Sequence, residues 1–290
     1  MGENLEASGA EYEDKAEKKL KSWGILGGKY DNAADLLEKA GNSFKLAKSW
    51  DRAAAAYIKL ADCQIKLESK HDAAAAYVDA ALCFKKSQPL EAVRCLEAAI
   101  ALFLEIGRLS IAARHYKEIG EIFEKQENAE RAMEYFDKAA ELFSGEEVNS
   151  SGTQCKLKVA QFAAQLQQYP RAIDIFETVA RQSIDSNLLK YSVKTHLLNA
   201  ALCQLCAGDS VAINHAVQRY EDIDPNFLST REGKFVVDLV QAIEDVDVVK
   251  FTDVVKDFDS FTRLDDWRTL LLLHVKNKLK EIEVAGDNLT

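Results

Sequence analysis

The chain has 290 residues, 48% of them apolar and 29% charged, a globular composition long enough to bury a sizeable core. Its formal charge of −10 excludes free DNA or RNA as a partner for the molecule as a whole. Only three prolines occur where average usage gives about fourteen, and alanine is abundant, so the chain is expected to be helical almost throughout.

The start, MGENLEASGAEYEDKAEKK, is acidic and polar, and no apolar run approaches the ~20 residues that span a bilayer. Secretory signals and membrane anchors are therefore not expected, and the expected location is cytoplasmic. Residues 1–30 read as an N-terminal helix followed by a glycine-rich connection. Its segment Gly24-Ile25-Leu26-Gly27-Gly28-Lys29-Tyr30 superficially resembles a phosphate loop. Trp23 stands at the first glycine position, however, and Tyr30 replaces the hydroxyl that would meet magnesium. What the connection does offer is apolar side chains: Trp23, Ile25 and Leu26 among Ser22, Gly24, Gly27 and Gly28. Large apolar groups are not expected on a surface loop. Either they fold back onto the first hairpin, or they insert shallowly into a membrane and give weak, reversible attachment.

Residues 31–206 carry a beat of about twenty residues. Asp51-Arg52-Ala53-Ala54-Ala55-Ala56-Tyr57 is echoed by His71-Asp72-Ala73-Ala74-Ala75-Ala76-Tyr77. In phase along the chain run the small/large pairs Ala33/Leu37, Ala53/Tyr57, Ala73/Tyr77, Ala92/Leu96, Ala112/Tyr116, Ala132/Phe136 and Ala172/Phe176. One beat, near Gly152 and Lys156, is degenerate, and Ser192/His196 is a weaker echo. Four residues are about one helical turn, so each pair shares a helix face: the small member admits a neighbouring helix and the large one fills the space beside it. Ser87-Gln88-Pro89, Gly107, Glu127-Asn128 and Gln168-Tyr169-Pro170 fall between beats. Two beats make an antiparallel hairpin, and stacked hairpins predict an all-α, tetratricopeptide-like right-handed superhelix, a twisted sheet of helical hairpins. Such folds favour binding surfaces over deep pockets.

Beyond Asp209 the beat fades. Residues 207–290 are expected to form a C-terminal helical bundle that closes the last hairpin and ends in a flexible acidic and leucine-bearing tail. The charge follows this division: residues 1–30 hold six acids and five bases, and residues 207–290 seventeen acids and ten bases. The last third thus suits a basic partner, while the middle is free to present a basic patch.

No catalytic signature emerges. The motifs of serine hydrolases, zinc proteases and kinases are absent. His71, His115, His196, His215 and His274 lie in separate helical units, and Asp265 and Asp266 splay to different helix faces. Cys63, Cys83, Cys95, Cys155, Cys203 and Cys206 sit in alanine-rich stretches and read as small buried hydrophobes. Cys203-x-x-Cys206 lacks the further ligands that a zinc site needs. Neither a metal nor a cofactor nor an enzymatic activity is expected.

From about residue 15 onward the chain resembles the alpha-type soluble attachment proteins of the N-ethylmaleimide-sensitive fusion ATPase, NSF. The resemblance is carried by WGILGGKY, NSFKLAKSW, LESKHDAAAAYVDAALCFKK, IGRLSIAARHYKEIGEIFE, KVAQFAAQLQQYPRAIDI, NLLKYSVK and DVVKDFDSFTRLDDW, in family order and spacing. It implies a peripheral adaptor, monomeric when free. Several copies would surround a four-helix SNARE bundle of syntaxin-like and synaptobrevin-like chains and recruit the hexameric AAA+ ATPase that pulls the bundle apart, as in vesicle-mediated and ER–Golgi transport. Carried across position by position, basic residues of the inner face that would grip the acidic SNARE surface are Lys48, Lys86, Arg108, Arg114, Lys158, Lys194 and Arg231. Gln154 stands where the family often has lysine. The ATPase-binding positions are Glu244, Asp245, Asp247, Asp287 and Leu289. Gln241 replaces a common acid, and Asp287 is the only acid of the tail, so weaker ATPase engagement is expected. The rival reading is a generic tetratricopeptide-type peptide-binding scaffold or co-chaperone. That function needs a compact carboxylate clamp, whereas the cations here are spread along the chain. A hydrolase site within the C-terminal bundle is a third reading.

Overall fold

The computed structural model describes residues 2–22, 26–144, 150–208 and 210–287. Fourteen α-helices follow one another among them, with two short 3-10 turns and no strand. They are α1 (Gly2–Lys21), α2 (Leu26–Leu46), α3 (Trp50–Lys66), α4 (Lys70–Phe84), α5 (Pro89–Glu105), α6 (Leu109–Lys125) and α7 (Ala129–Phe143). Then come α8 (Ser150–Gln165), α9 (Tyr169–Ile184), α10 (Val193–Ala207), α11 (Ser210–Ile223), α12 (Arg231–Glu244), α13 (Val248–Phe261) and α14 (Asp266–Asp287). The protein is all-α and tetratricopeptide-like. It forms two compact units, Met1–Cys155 and Lys156–Thr290, so α9 and α10, which belong to the repeat by sequence, fold with the C-terminal helices.

Helix α2 starts earlier than the glycine-rich text implies. Gly27 and Gly28 lie in its first turn, and the connection after Ser22 is correspondingly short. Leu26 is therefore the first helical residue rather than part of a loop.

In the first unit the repeat is visible in both packing and backbone. The six alanines of its small/large pairs, and Ala172 of the seventh pair in the second unit, have no exposed surface, and of their partners only Tyr77 and Tyr116 are less than fully buried. Glycines extend the same complementarity between helices. A Cβ on Gly41 of α2 would come within 2.9 Å of the Tyr57 ring on α3, and one on Gly120 of α6 within 3.0 Å of Phe136 on α7. The chain reverses through one recurrent turn. Lys48, Glu68, Gly107 and Glu127 all have left-handed φ, between +57° and +71°. The residue after each donates its N–H back five positions, at 2.8–3.0 Å: Ser49 to Phe44, Ser69 to Gln64, Arg108 to Phe103, and Asn128 to Phe123. This is the helix-ending motif that satisfies the last free carbonyls. In the second unit Gln167, with φ +59°, repeats it, and Gln168 bonds back to Ala163. The beat at 87–88 differs because Pro89 follows. The residue before a proline is pushed into extended backbone, and Gln88 has φ −137°.

Besides the contacts between successive helices, such as Tyr57 of α3 to Asn42 of α2 at 2.8 Å, side chains also join helices of like parity. Lys45 of α2 meets Asp79 of α4 at 3.4 Å, Lys85, which caps the C-terminus of α4, meets Glu118 of α6 at 2.7 Å, and Lys117 of α6 meets Gln154 of α8 at 3.5 Å. On the odd side Lys59 of α3 holds Glu13 of α1 at 2.8 Å, and Tyr135 of α7 donates to Glu97 of α5. Even-numbered helices therefore form one layer and odd-numbered helices the other, as stacked hairpins require. Successive turns leave at alternating edges. Residues 47–49, 85–88 and 126–128 share one edge. The end of α1 and residues 67–69 and 106–108 share the opposite one.

The second unit is organised around α10, which packs against α9, α11, α12 and α14. Twelve of its fifteen residues are buried, an all-round burial that explains why no amphipathic stripe can be read from LLNAALCQLC. Helix α14 is fastened to this unit by side chains: Trp267 Nε1 donates to the Gln161 carbonyl at 3.0 Å, Arg268 Nε to Asn199 Oδ1 at 2.9 Å, and Lys278 Nζ to the Cys206 carbonyl at 2.8 Å.

Candidate functional site

Of the seven basic candidates Arg114, Lys158, Lys194 and Arg231 lie on even-numbered helices, and Lys48, Lys86 and Arg108 lie in turns between helices. In the first unit Lys48 and Lys86 occupy the turns that follow α2 and α4, Arg108 is the N-cap of α6, and Arg114 lies on α6. All four are exposed. Arg114 lies in the even-numbered layer, with Lys48 and Lys86 at one edge of the unit and Arg108 at the other. Lys117, on the same helix as Arg114, donates to Gln154 at 3.5 Å. A cation therefore stands directly beside the glutamine that replaces a family lysine, a neighbour that only the packing of α6 against α8 reveals.

In the second unit Lys158 is half-buried on α8. Lys194, on α10, reaches Glu232 at 3.0 Å, a carboxylate only 7% exposed, so its ammonium balances a buried charge as well as facing outward. Arg231 opens α12 with its guanidinium 5.0 Å above the Phe261 ring and Nη1 3.3 Å from Thr262 Oγ1.

The acidic positions gather where α12 turns into α13. Glu244 is exposed and accepts from Asn214 Nδ2 at 3.1 Å. Asp245 caps the C-terminus of α12, and hydrogen bonds from Lys250, at 2.7 Å, and from Gln241, at 3.0 Å, hold its carboxyl below the usual range. Gln241 thus supports an acid where the family commonly has one. Val246 adopts φ +53°, a strained value for a β-branched residue, and directs the chain into Asp247. Asp247 is the N-cap of α13, accepting from Lys250 N at 2.8 Å. It therefore has a structural task that charge counting does not show. Asp247→Ala is expected to cost about 1 kcal/mol in chemical denaturation, Asp247→Asn to retain the cap, and Glu244→Gln to change little. Equal stability of Asp247→Ala and the parent would contradict the capping role. Asp287 ends α14, while Leu289 lies outside the described residues, as do Trp23 and Ile25.

Elsewhere the chemistry is that of packing. All six cysteines are buried free thiols; burial pushes Cys206 up to about 12 and Cys203 up as well, against the thiolate that redox or nucleophilic work needs. His71 and His115 converge from different helices on the Phe103 ring, at 6.2 and 5.7 Å, a proximity absent from their sequence positions. His115 also meets Glu118 at 3.1 Å. Burial raises that carboxyl, but the bonds from His115 and Lys85 outweigh it and leave it lowered. A groove of about 390 Å³ between α13 and α14 is lined by apolar residues, two threonines and the charged Lys256, Asp259, Arg263, Asp266 and Lys276, with no histidine or cysteine. The hydroxyl of Thr252 is spent on the Val248 carbonyl at 2.7 Å. Among the described residues no helix is long and apolar enough to cross a membrane.

These features define an α-hairpin repeat protein whose polar chemistry lies on surfaces. The family profile described as "Soluble NSF attachment protein, SNAP" matches residues 7–280. The "Alpha-soluble NSF attachment protein" of Vitis vinifera is 53% identical over 290 residues, covering all of both chains. That of Mus musculus is 42% identical over 91% of this chain and 92% of its own. The "Probable vesicular-fusion protein sec17 homolog" of Schizosaccharomyces pombe is 38% identical over 95% and 96%. The chain belongs to the soluble NSF attachment protein family. That is a family of attachment proteins in vesicular transport and fusion, and its members are not enzymes.

Proposed function

We propose that this chain is a non-catalytic adaptor that grips an assembled SNARE bundle and recruits and stimulates the hexameric ATPase NSF. The observation that carries the reading is the spread of exposed cations along the first unit, Lys48, Lys86, Arg108 and Arg114, with Lys158, Lys194 and Arg231 as the further candidates in the second. A spread of cations suits a long acidic coil, where individually weak contacts add through avidity and steering. It does not suit the compact clamp by which a peptide scaffold holds a single carboxylate. Glu244, Asp245 and Asp247, together with Asp287 and Leu289 near the end of the chain, form the ATPase-facing set. Trp23, Ile25 and Leu26 hold the cytoplasmic protein peripherally to the membrane. Free protein is a monomer, and several copies act on one bundle.

The test is reconstituted disassembly of a purified SNARE bundle by the ATPase, with and without this protein. Disassembly is expected only when the protein is present, and Leu289→Ala is expected to retain bundle binding while lowering stimulated ATP hydrolysis. Capture of short C-terminal peptides without affinity for the assembled bundle would instead favour the scaffold.

A further inference from the structure

Three cations, Lys18, Lys19 and Lys21, crowd the last turn of α1, immediately ahead of the apolar connection. All three are exposed. Lys18 and Lys19 have no side-chain partner among the described residues, and Lys21 has only a 3.9 Å approach to Glu17. The hairpin topology returns the chain to this edge between α3 and α4, where exposed Lys66 ends α3 beside Ile65, a 42% exposed isoleucine. It returns again between α5 and α6, where Leu109 is 49% exposed.

The carboxylates of this edge are differently placed. Glu17 is bonded to Lys59 at 2.8 Å, Glu105 to Lys70 at 2.9 Å, and Asp72 to Ser69 at 2.6 Å with His71 beside it. Among the described residues Glu68, Asp31 and Glu141, in the last turn of α7, are acids of this edge without such a partner. Half of these acids are thus paired within the fold, whereas the four lysines are left to solvent. Part of the α1 cluster complements the helix dipole, but one cation in the last turn is enough for that.

We infer that this edge, bearing Lys18, Lys19, Lys21 and Lys66, lies against an anionic bilayer surface. The inference deepens the membrane part of the proposed function and rests on it: the apolar connection leaves from the same edge, so insertion there would bring the four lysines to the headgroups. Unpaired lysines gain from a negative leaflet within about a Debye length, roughly 8 Å at physiological salt, and a polybasic segment beside a weak apolar anchor supplies the second signal that stable attachment needs. Scattered exposed Ile65 and Leu109 fit the interfacial region between headgroups and solvent. The partner is a lipid surface of negative charge, not one particular headgroup.

The test is flotation of the full chain with phosphatidylcholine vesicles and with vesicles also containing phosphatidylserine. Binding is expected to rise at least about tenfold with phosphatidylserine and to lose that gain in high salt. K18E/K19E/K21E/K66E should abolish the gain while keeping the parent's binding to phosphatidylcholine, its affinity for a soluble SNARE bundle and its helical circular dichroism. The four lysine-to-glutamine changes together should give an intermediate gain. Replacing Trp23, Ile25 and Leu26 with serine should lower binding to both vesicle types. Failure of that triple variant to do so removes the apolar anchor, and is read separately from the lysine variants. Undiminished phosphatidylserine enhancement in K18E/K19E/K21E/K66E overturns the inference. So does an equal loss of soluble SNARE binding, which would assign the edge to a protein partner.

Discussion

A chain carrying Lys48→Glu, Lys86→Glu, Arg108→Glu and Arg114→Glu is expected to bind an assembled SNARE bundle about a thousandfold more weakly at low salt, with its fold intact. An exposed charge pair is worth about 0–1 kcal/mol, and reversal replaces an attraction by a repulsion of similar size, so four reversals amount to roughly 4 kcal/mol. At ~1.4 kcal/mol for each factor of ten, that is about three orders of magnitude. The fold is spared because the four side chains are exposed. The turn bonds at Lys48 and the cap at Arg108 are made by backbone atoms. Lys86 likewise uses its N–H, to the Cys83 carbonyl at 3.1 Å. Calorimetric titration at low and high salt checks the expectation. Parent affinity should fall with salt, whereas that of the variant should fall far less. Unchanged affinity in the fourfold variant would remove these four cations as a SNARE-facing set.

The second large effect concerns stability. Gly233 sits in the first turn of α12, where its N–H is capped by Thr230 Oγ1 at 3.0 Å and its Cα passes close to the 3-10 turn Phe227–Ser229. A Cβ there would lie 2.1 Å from the Phe227 carbonyl oxygen and 2.7 Å from Leu228 Cα. Both are backbone atoms, so no rotamer change relieves the clash. The turn cannot withdraw cheaply either, because Phe227 is fully buried with its ring 5.8 Å from that of Tyr220. Gly233→Ala is expected to destabilise by about 3 kcal/mol, at the upper end of overpacking costs, and to lower the melting temperature by roughly 6–12 °C. Gly120→Ala is the contrasting case. Its Cβ would meet the Phe136 ring at 3.0 Å, and a small displacement of that ring accommodates it within about 1 kcal/mol. Equal melting temperatures for the two variants would refute the distinction between backbone and side-chain neighbours.

Much of the first unit is legible in the sequence because its determinants are local. Alanine and an aromatic or leucine four residues apart define a helix face, and the punctuation at 107, 127–128 and 168 falls on turns, with Tyr169 and Pro170 opening α9. What escapes a linear reading depends on contacts distant in sequence. The Gly27-Gly28 pair signals a loop by composition, yet both residues are helical in α2. Lys194 looks like any surface lysine until Glu232, thirty-eight residues on, is folded beneath it. Asp247 reads as one more charge of an acidic end, although its side chain caps α13. The basic positions were reachable only through family resemblance, since no spacing rule separates Arg114 from other exposed cations.

Stacked hairpins that touch only their neighbours have stabilities that add link by link, and such an array can fray inward from a free end. The second unit is wired differently. With α10 enclosed by α9, α11, α12 and α14, peeling away any one of these neighbours exposes part of a rod that has almost no solvent-ready side. Melting there is consequently an all-or-none event, while the first unit is free to open hairpin by hairpin. A pull applied to the C-terminal half is met by a single cooperative block, and give in the chain is concentrated in the repeats ahead of it.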